Sequence, residues 1–275
     1  MAAVPAEHFF VDIAGGQRLM VHHRPVGNVR GAVLHVHPFA EEMNKCRRMA
    51  WLHSRALAEA GFAVLQLDLA GCGDSSGDFA QADWQHWRDD VVHAAGWLLD
   101  RYSAPLLLWG VRAGCLVACA AGPHLPVPAG AIFWQPPATG AVLLHQFLRL
   151  ATAGDMIRGD AKGAGQRMRD RLSQGEPIEV AGYTINAALA QGLQAAALEP
   201  WPGARHAEWF EVSSRTDAAL SPALATAAQR WAAAGVVLQP SVVEGPAFWQ
   251  STEVELAPAL LTASVAAAQR LAARH

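Results

Sequence analysis

Charge is scarce in this 275-residue chain: only 16% of its residues are Asp, Glu, Lys or Arg, and 21 basic against 24 acidic side chains leave a formal net charge of −3. That balance gives no electrostatic reason to expect nucleic acid or an anionic membrane as a partner. Long apolar runs are missing too, and none approaches the roughly 20 residues of a membrane span. The stretch MAAVPAEHFF (1–10) has neither the basic start nor the apolar core of a signal peptide, so the expected location is cytoplasmic. There is no phosphate loop, no G-x-G-x-x-G after a strand and no H-x-x-x-H. The four cysteines, Cys46, Cys72, Cys115 and Cys119, lack the paired spacing of a zinc site. No metal and no organic cofactor is expected, and a reducing compartment would keep the cysteines as thiols. Oligomeric state is not fixed by any of these features.

What is present is apolar material, 52% of the residues, enough to bury a large sheet under helices in one domain. HFFVDI (8–13) and RLMVHHR (18–24) flank the turn Ala14-Gly15-Gly16-Gln17 and predict an antiparallel hairpin. GAVLHVH (31–37), FAVLQLDL (62–69), PLLLWG (105–110), 129–134, 207–212 and 236–244 then read as strands. Helices are expected over 44–60, 83–102, 112–121, 221–234 and 253–273. This alternation predicts an α/β fold with a mostly parallel, doubly wound sheet. The rhythm breaks between 135 and 205, where a helix near 140–152, a polar Gly-rich stretch 154–165, a basic helix 166–173 and a short strand followed by a helix over 178–191 predict an inserted lid. The core is then 1–134 with 206–275. There is no internal repeat.

The stretch LLLWGVRAGCLVA (106–118) has the layout of a nucleophile elbow: an apolar strand, glycines four apart, then a small-residue helix. Arg112 stands where G-x-S-x-G carries its serine. A guanidinium stays protonated, so it is no nucleophile. The strand order, the elbow and the insertion after the sixth strand resemble the α/β-hydrolase superfamily. More narrowly, HPFAEEMNKCRRM (37–49), DLAGCGDSSGDF (68–79), WGVRAG (109–114), VAGY (180–183) and GPAFWQSTE (245–253) resemble the second hydrolase family associated with exosortase A systems. The resemblance covers essentially the whole chain. It implies hydrolysis of an ester or thioester linked to exopolysaccharide or protein export.

On that resemblance, Asp217 lies where the superfamily carries its acid, whereas Phe248 and Trp249 occupy the place of its histidine, and no histidine falls between His206 and His275. A triad lacking nucleophile and base cannot activate a serine. The loop His37-Pro38-Phe39-Ala40 stands at the oxyanion position. Since Pro38 has no N–H, Phe39 or Ala40 with Ala113 would supply the donors. Glu41 and Glu42 lie just beyond. Arg112, added to the positive end of a helix, calls for a carboxylate or a bound anion: either an internal pair with Glu42, Glu41 or Asp217, or the grip on a ligand carboxylate or phosphate beneath the lid. His37 orients the loop or acts as a base. Cys115 is a buried inert thiol or, with His35 or His37, a reactive pair.

The remaining features carry parallel alternatives. Loop 70–78 is a tight turn whose Ser75 and Ser76 could line a pocket entrance. Lys45, Arg47 and Arg48 form a solvated face or an anion-attracting rim. Tyr183 packs or points its hydroxyl inward, and Trp249 could line a ligand site. Two functions follow: a hydrolase using Glu41 or Glu42, His37, Arg112 and Asp217 in place of a serine triad, or a protein without turnover that binds a small acyl or anionic ligand, or a partner, in the old pocket.

Overall fold

The computed structural model describes residues 5–127, 129–158 and 164–274. A hairpin of β1 (Ala6–Ile13) and β2 (Gly16–His23) leads into β3 (Gly31–Val36), α1 (Glu41–Glu59), β4 (Phe62–Leu67) and α2 (Trp84–Leu99). Next come β5 (Leu106–Val111), α3 (Ala113–Ala121) and β6 (Ala129–Trp134). Between β6 and the next core strand lie α4 (Gly140–Arg158), α5 (Ala164–Ser173), the small hairpin β7 (Ile178–Val180) and β8 (Tyr183–Ile185), and α6 (Ala187–Ala195). The core closes with β9 (His206–Ser213), α7 (Pro222–Ala233), β10 (Val237–Glu244) and α8 (Pro258–Ala272).

Eight strands form one sheet in the order β1-β2-β4-β3-β5-β6-β9-β10. β2 pairs antiparallel with β1 and β4, and the remaining neighbours run parallel. Every residue of β3, β5 and β6 is buried, as expected for central parallel strands covered on both faces. One apolar core includes Trp87, Trp209 and Trp231. The other, on the side of α1 and α8, includes Trp109, Trp134 and Phe248. All four cysteines are free thiols and buried.

From β3 the chain moves outward to β4 and then returns to the other side of β3 as β5. The carboxyl ends of β3 and β5 therefore form a topological switch point, the place where open α/β sheets leave a crevice. The loop 37–40 and Arg112 both lie there.

The structure differs from the sequence expectations mainly at element ends. Helix α1 begins at Glu41 rather than 44, since a sharp turn at Ala40 starts it directly. α8 begins at Pro258 rather than 253, because proline, lacking an N–H, fits the first turn and not the interior of a helix. Residues 178–185 make two strands instead of one, joined by Ala181 and Gly182 with φ 51° and 81°, the positive pair that a tight hairpin turn demands. Part of the expected Gly-rich stretch 154–165 and the start of MAAVPAEHFF lie outside the described residues. Among the described residues, no helix is long and apolar enough to cross a membrane.

Candidate functional site

Two strand-to-helix turns built alike face each other at the switch point. Arg112, between β5 and α3, has φ 53° and ψ −117°; Ala40, before α1, has φ 49° and ψ −127°. Neither residue is glycine, so both turns hold strain of about 1–3 kcal/mol each. The flanking glycines of the elbow are explained by contact. A Cβ on Gly114 would overlap the Val36 and His37 carbonyl oxygens, and one on Gly110 would overlap the Cys115 backbone. Helix α3 is thereby pressed against the end of β3.

The Arg112 side chain, 7% exposed, turns toward α1. Its Nε donates to Glu42 Oε1 at 3.1 Å and Oε2 at 3.2 Å, and its Nη2 donates to Glu42 Oε1 at 2.9 Å. The same Nη2 donates to Gln146 Oε1 of α4 at 2.8 Å. The guanidinium carbon lies 5.6 Å from the centre of the Trp249 ring, within the range of a cation–π contact. Burial pushes the Glu42 carboxyl above the usual range, while the Arg112 charge opposes that shift. Of the alternatives the sequence leaves open for Arg112, the structure has the internal pair with Glu42.

The other residues named from sequence divide clearly. Phe39, Glu41 and Glu42 line a cavity of about 280 Å³ together with Lys45 and Gln250. Its apolar wall is Leu143, Phe147 and Leu150, one stripe of α4, and Gln146 of the same helix completes the lining. Ala40 and Ala113 are buried at the two turns. Trp249 and Phe248 pack in the core beside Trp134.

Asp217 is not brought to Arg112: it is 77% exposed and pairs with Arg215 at 3.4 Å. His37 is buried, with Nδ1 2.7 Å from the Pro38 carbonyl oxygen and Nε2 accepting from the Leu69 N–H at 3.2 Å. Burial holds its pKa down. With both ring nitrogens engaged by the main chain, His37 orients the loop and has no nitrogen left to take a proton from water. Cys115 is fully buried and its pKa is pushed well up by that burial, so a reactive Cys–His pair has no thiolate to start from. Ser75 and Ser76 accept from the main-chain N–H groups of Leu19 and Gln17 and fasten the loop to β2. Tyr183 packs edge-on against Phe79 and its hydroxyl meets the Asn44 amide. Among the described residues, no cluster of His, Cys, Asp or Glu could hold a metal ion.

Sequence reasoning missed Leu143, Gln146, Phe147, Leu150 and Gln250. The stripe on α4 was visible as helical periodicity, but it cannot be told from an ordinary core face without knowing what lies beneath it.

The model of the serine aminopeptidase S33 family matches residues 27–157, which span both strained turns. No curated protein matches the chain by sequence. Among solved structures, the α/β hydrolase GrgF from Penicillium sp. sh18 aligns with a TM-score of 0.61 at 15% identity, covering 98% of this chain and 99% of that one. The chain has the α/β-hydrolase fold. Est1E from Butyrivibrio proteoclasticus, solved with ferulic acid bound, aligns at 0.59 with 12% identity, over 97% of this chain and 98% of that one. XC6422 from Xanthomonas campestris, described as a serine hydrolase without a lid, aligns at 0.56 with 17% identity, over 98% and 94%. A shared fold says where a site lies, and the chemistry has to come from the side chains found there.

Proposed function

We propose that this protein captures a small acyl or anionic ligand in the cavity between α1 and α4, without serine-type hydrolysis. The observation that carries this reading is the closed Arg112–Glu42 pair at the apex of an intact elbow. The strained turn that would raise a nucleophile raises a cation instead, and that cation is already neutralised. Trp249 stacks over the cation, so no base stands by to activate water from that side. The cavity itself remains open beside the pair, with apolar walls and a few converging polar groups, the usual make-up of a small-molecule site. The resemblance of 37–49, 68–79 and 245–253 to the second exosortase A-associated hydrolase family supports a role beside an exopolysaccharide or protein export system.

Melting curves with butyrate, hexanoate and octanoate test the reading. Saturating ligand should raise Tm, and Leu143→Trp, which fills the cavity, should abolish the rise while the protein stays folded. Equal rises in the wild type and Leu143→Trp would contradict it.

A second reading is favoured by one observation. Glu42 is a carboxylate whose burial raises its pKa beside a cavity, which suits a general base. In that reading Glu42 takes a proton from water as the hydroxide adds to an ester or thioester carbonyl, and Arg112 stabilises the developing oxyanion. Ester turnover lost in Glu42→Gln would support it.

A further inference from the structure

The ligand's head group can be read from two side chains that the Arg112–Glu42 pair leaves uncommitted. Glu41 and Lys45 both line the cavity from the first turns of α1. Their spacing, Glu four residues before Lys, is the one that ordinarily forms an ion pair on a helix. Here no ion pair joins them. Glu41 Oε2 is shielded from solvent and has no hydrogen-bond partner. Lys45 Nζ has only a long contact, 3.5 Å, to the Gln250 carbonyl oxygen. Both charges act on Glu42 between them, Glu41 raising its pKa and Lys45 lowering it.

A buried acceptor without a donor costs free energy that a bound donor would recover. An ammonium beside it with no carboxylate partner invites an anion. Facing these two groups is the apolar stripe of Leu143, Phe147 and Leu150 on α4. Arg112 is the weaker anion grip of the two cations, because Glu42 already neutralises it through Nε and Nη2, and Nη2 also reaches Gln146.

We infer that the ligand is a small apolar carboxylic acid carrying a hydrogen-bond donor near its carboxylate. The acid meets Lys45, the donor meets Glu41, and the branched or aromatic body lies on the stripe. At about 280 Å³ the cavity is at the small end of ligand sites, roughly 300 Å³ and upward, and it has room for a body the size of a leucine or phenylalanine side chain. This inference rests on the ligand-capture reading above and adds the chemistry of the head.

Four matched probes test it by isothermal calorimetry: leucine, 2-hydroxy-4-methylpentanoate, 4-methylpentanoate without the donor, and 3-methylbutylamine without the acid. Leucine or the hydroxy acid should bind about tenfold or more tightly than either probe lacking a group, the factor one charge-assisted hydrogen bond supplies. A preference for leucine would mark the donor as an ammonium, and a preference for the hydroxy acid would mark it as a hydroxyl. Glu41→Leu should reduce the advantage over 4-methylpentanoate to less than twofold, and Lys45→Met should do the same for the advantage over the amine. Equal binding of all four probes, or advantages untouched by these substitutions, would overturn the head-group assignment while leaving ligand capture intact. No binding of the four alongside a clear Tm rise with octanoate would do the same. Silence from every probe, octanoate included, would overturn both.

Discussion

Arg112 and Glu42 form a bidentate ion pair at 2.9–3.2 Å across the carboxyl ends of β5 and β3, joining the apex of the elbow to the first turn of α1. With side chains 7% and 13% exposed, neither charge finds enough water to be left alone. Removing one partner leaves the other buried and unpaired. Glu42→Ala should therefore cost about 3–5 kcal/mol in urea unfolding. Combining Arg112→Met with Glu42→Leu should recover most of that loss, since an apolar pair of similar volume fills the same space. A single variant that costs under about 1 kcal/mol would mean that the pair is solvated.

The same pair sets a pH dependence. Burial raises the folded-state pKa of Glu42 and Arg112 opposes it, so Arg112→Met should raise it further. Above the unfolded value the folded Glu42 of that variant then holds more protons than the unfolded chain. Stability consequently falls as pH rises through the window between those two pKa values. Tm of Arg112→Met should drop relative to wild type as pH rises above the ordinary carboxylate range, and adding Glu42→Gln should flatten the difference. An Arg112→Met curve parallel to wild type would show that Glu42 does not titrate there.

Buried histidines, His53 and His23 among them, contribute to the acid limit. Burial lowers the pKa of His53 to about 3 and that of His23 to about 4, from 6.5. In the unfolded chain both accept protons below about 6.5, whereas in the folded chain they stay neutral until much lower pH. Their stabilisation is complete above about pH 6.5 and is lost as pH falls. His53 should cost roughly 3 kcal/mol by about pH 4. His53→Leu should shift the acid-unfolding midpoint downward, and an unchanged midpoint would exclude His53 as a cause.

The paired turns give a strain test. At Ala40, φ 49° is a conformation glycine adopts freely. Ala40→Gly should gain stability on the order of 1 kcal/mol after the entropy of the freer unfolded chain is deducted. Gly114→Ala should have the opposite sign and be larger, because its Cβ has no space beside the Val36 carbonyl. Equal effects at both sites would mean that the two turns are not held as the structure has them.

The sequence was legible where local patterning and burial coincide. The buried strands Gly31–Val36, Leu106–Val111 and Ala129–Trp134 read as continuous apolar runs, and the four-residue glycine spacing around Arg112 marked the elbow before any fold was in view. The candidate site was only half legible. Glu42 could be proposed as the partner of Arg112, but so could Glu41 and Asp217, because the choice depends on how α1 leaves the Ala40 turn. Asp217 sits on an exposed loop with Arg215 beside it, a detail of loop path that no periodicity encodes. The role of Gln146 was invisible, since it comes from α4, whose placement against Arg112 is a tertiary matter.

The most direct measurement is a turnover screen of short-chain nitrophenyl esters and acyl thioesters on wild type, Arg112→Ala, Arg112→Ser and Glu42→Gln, with octanoate-induced Tm shifts recorded on the same preparations. Ligand capture without serine-type hydrolysis predicts no turnover above the uncatalysed rate in any of the four, alongside a clear Tm rise in the wild type. Wild-type turnover that disappears in Glu42→Gln would contradict it and make the buried carboxylate the base of a working enzyme.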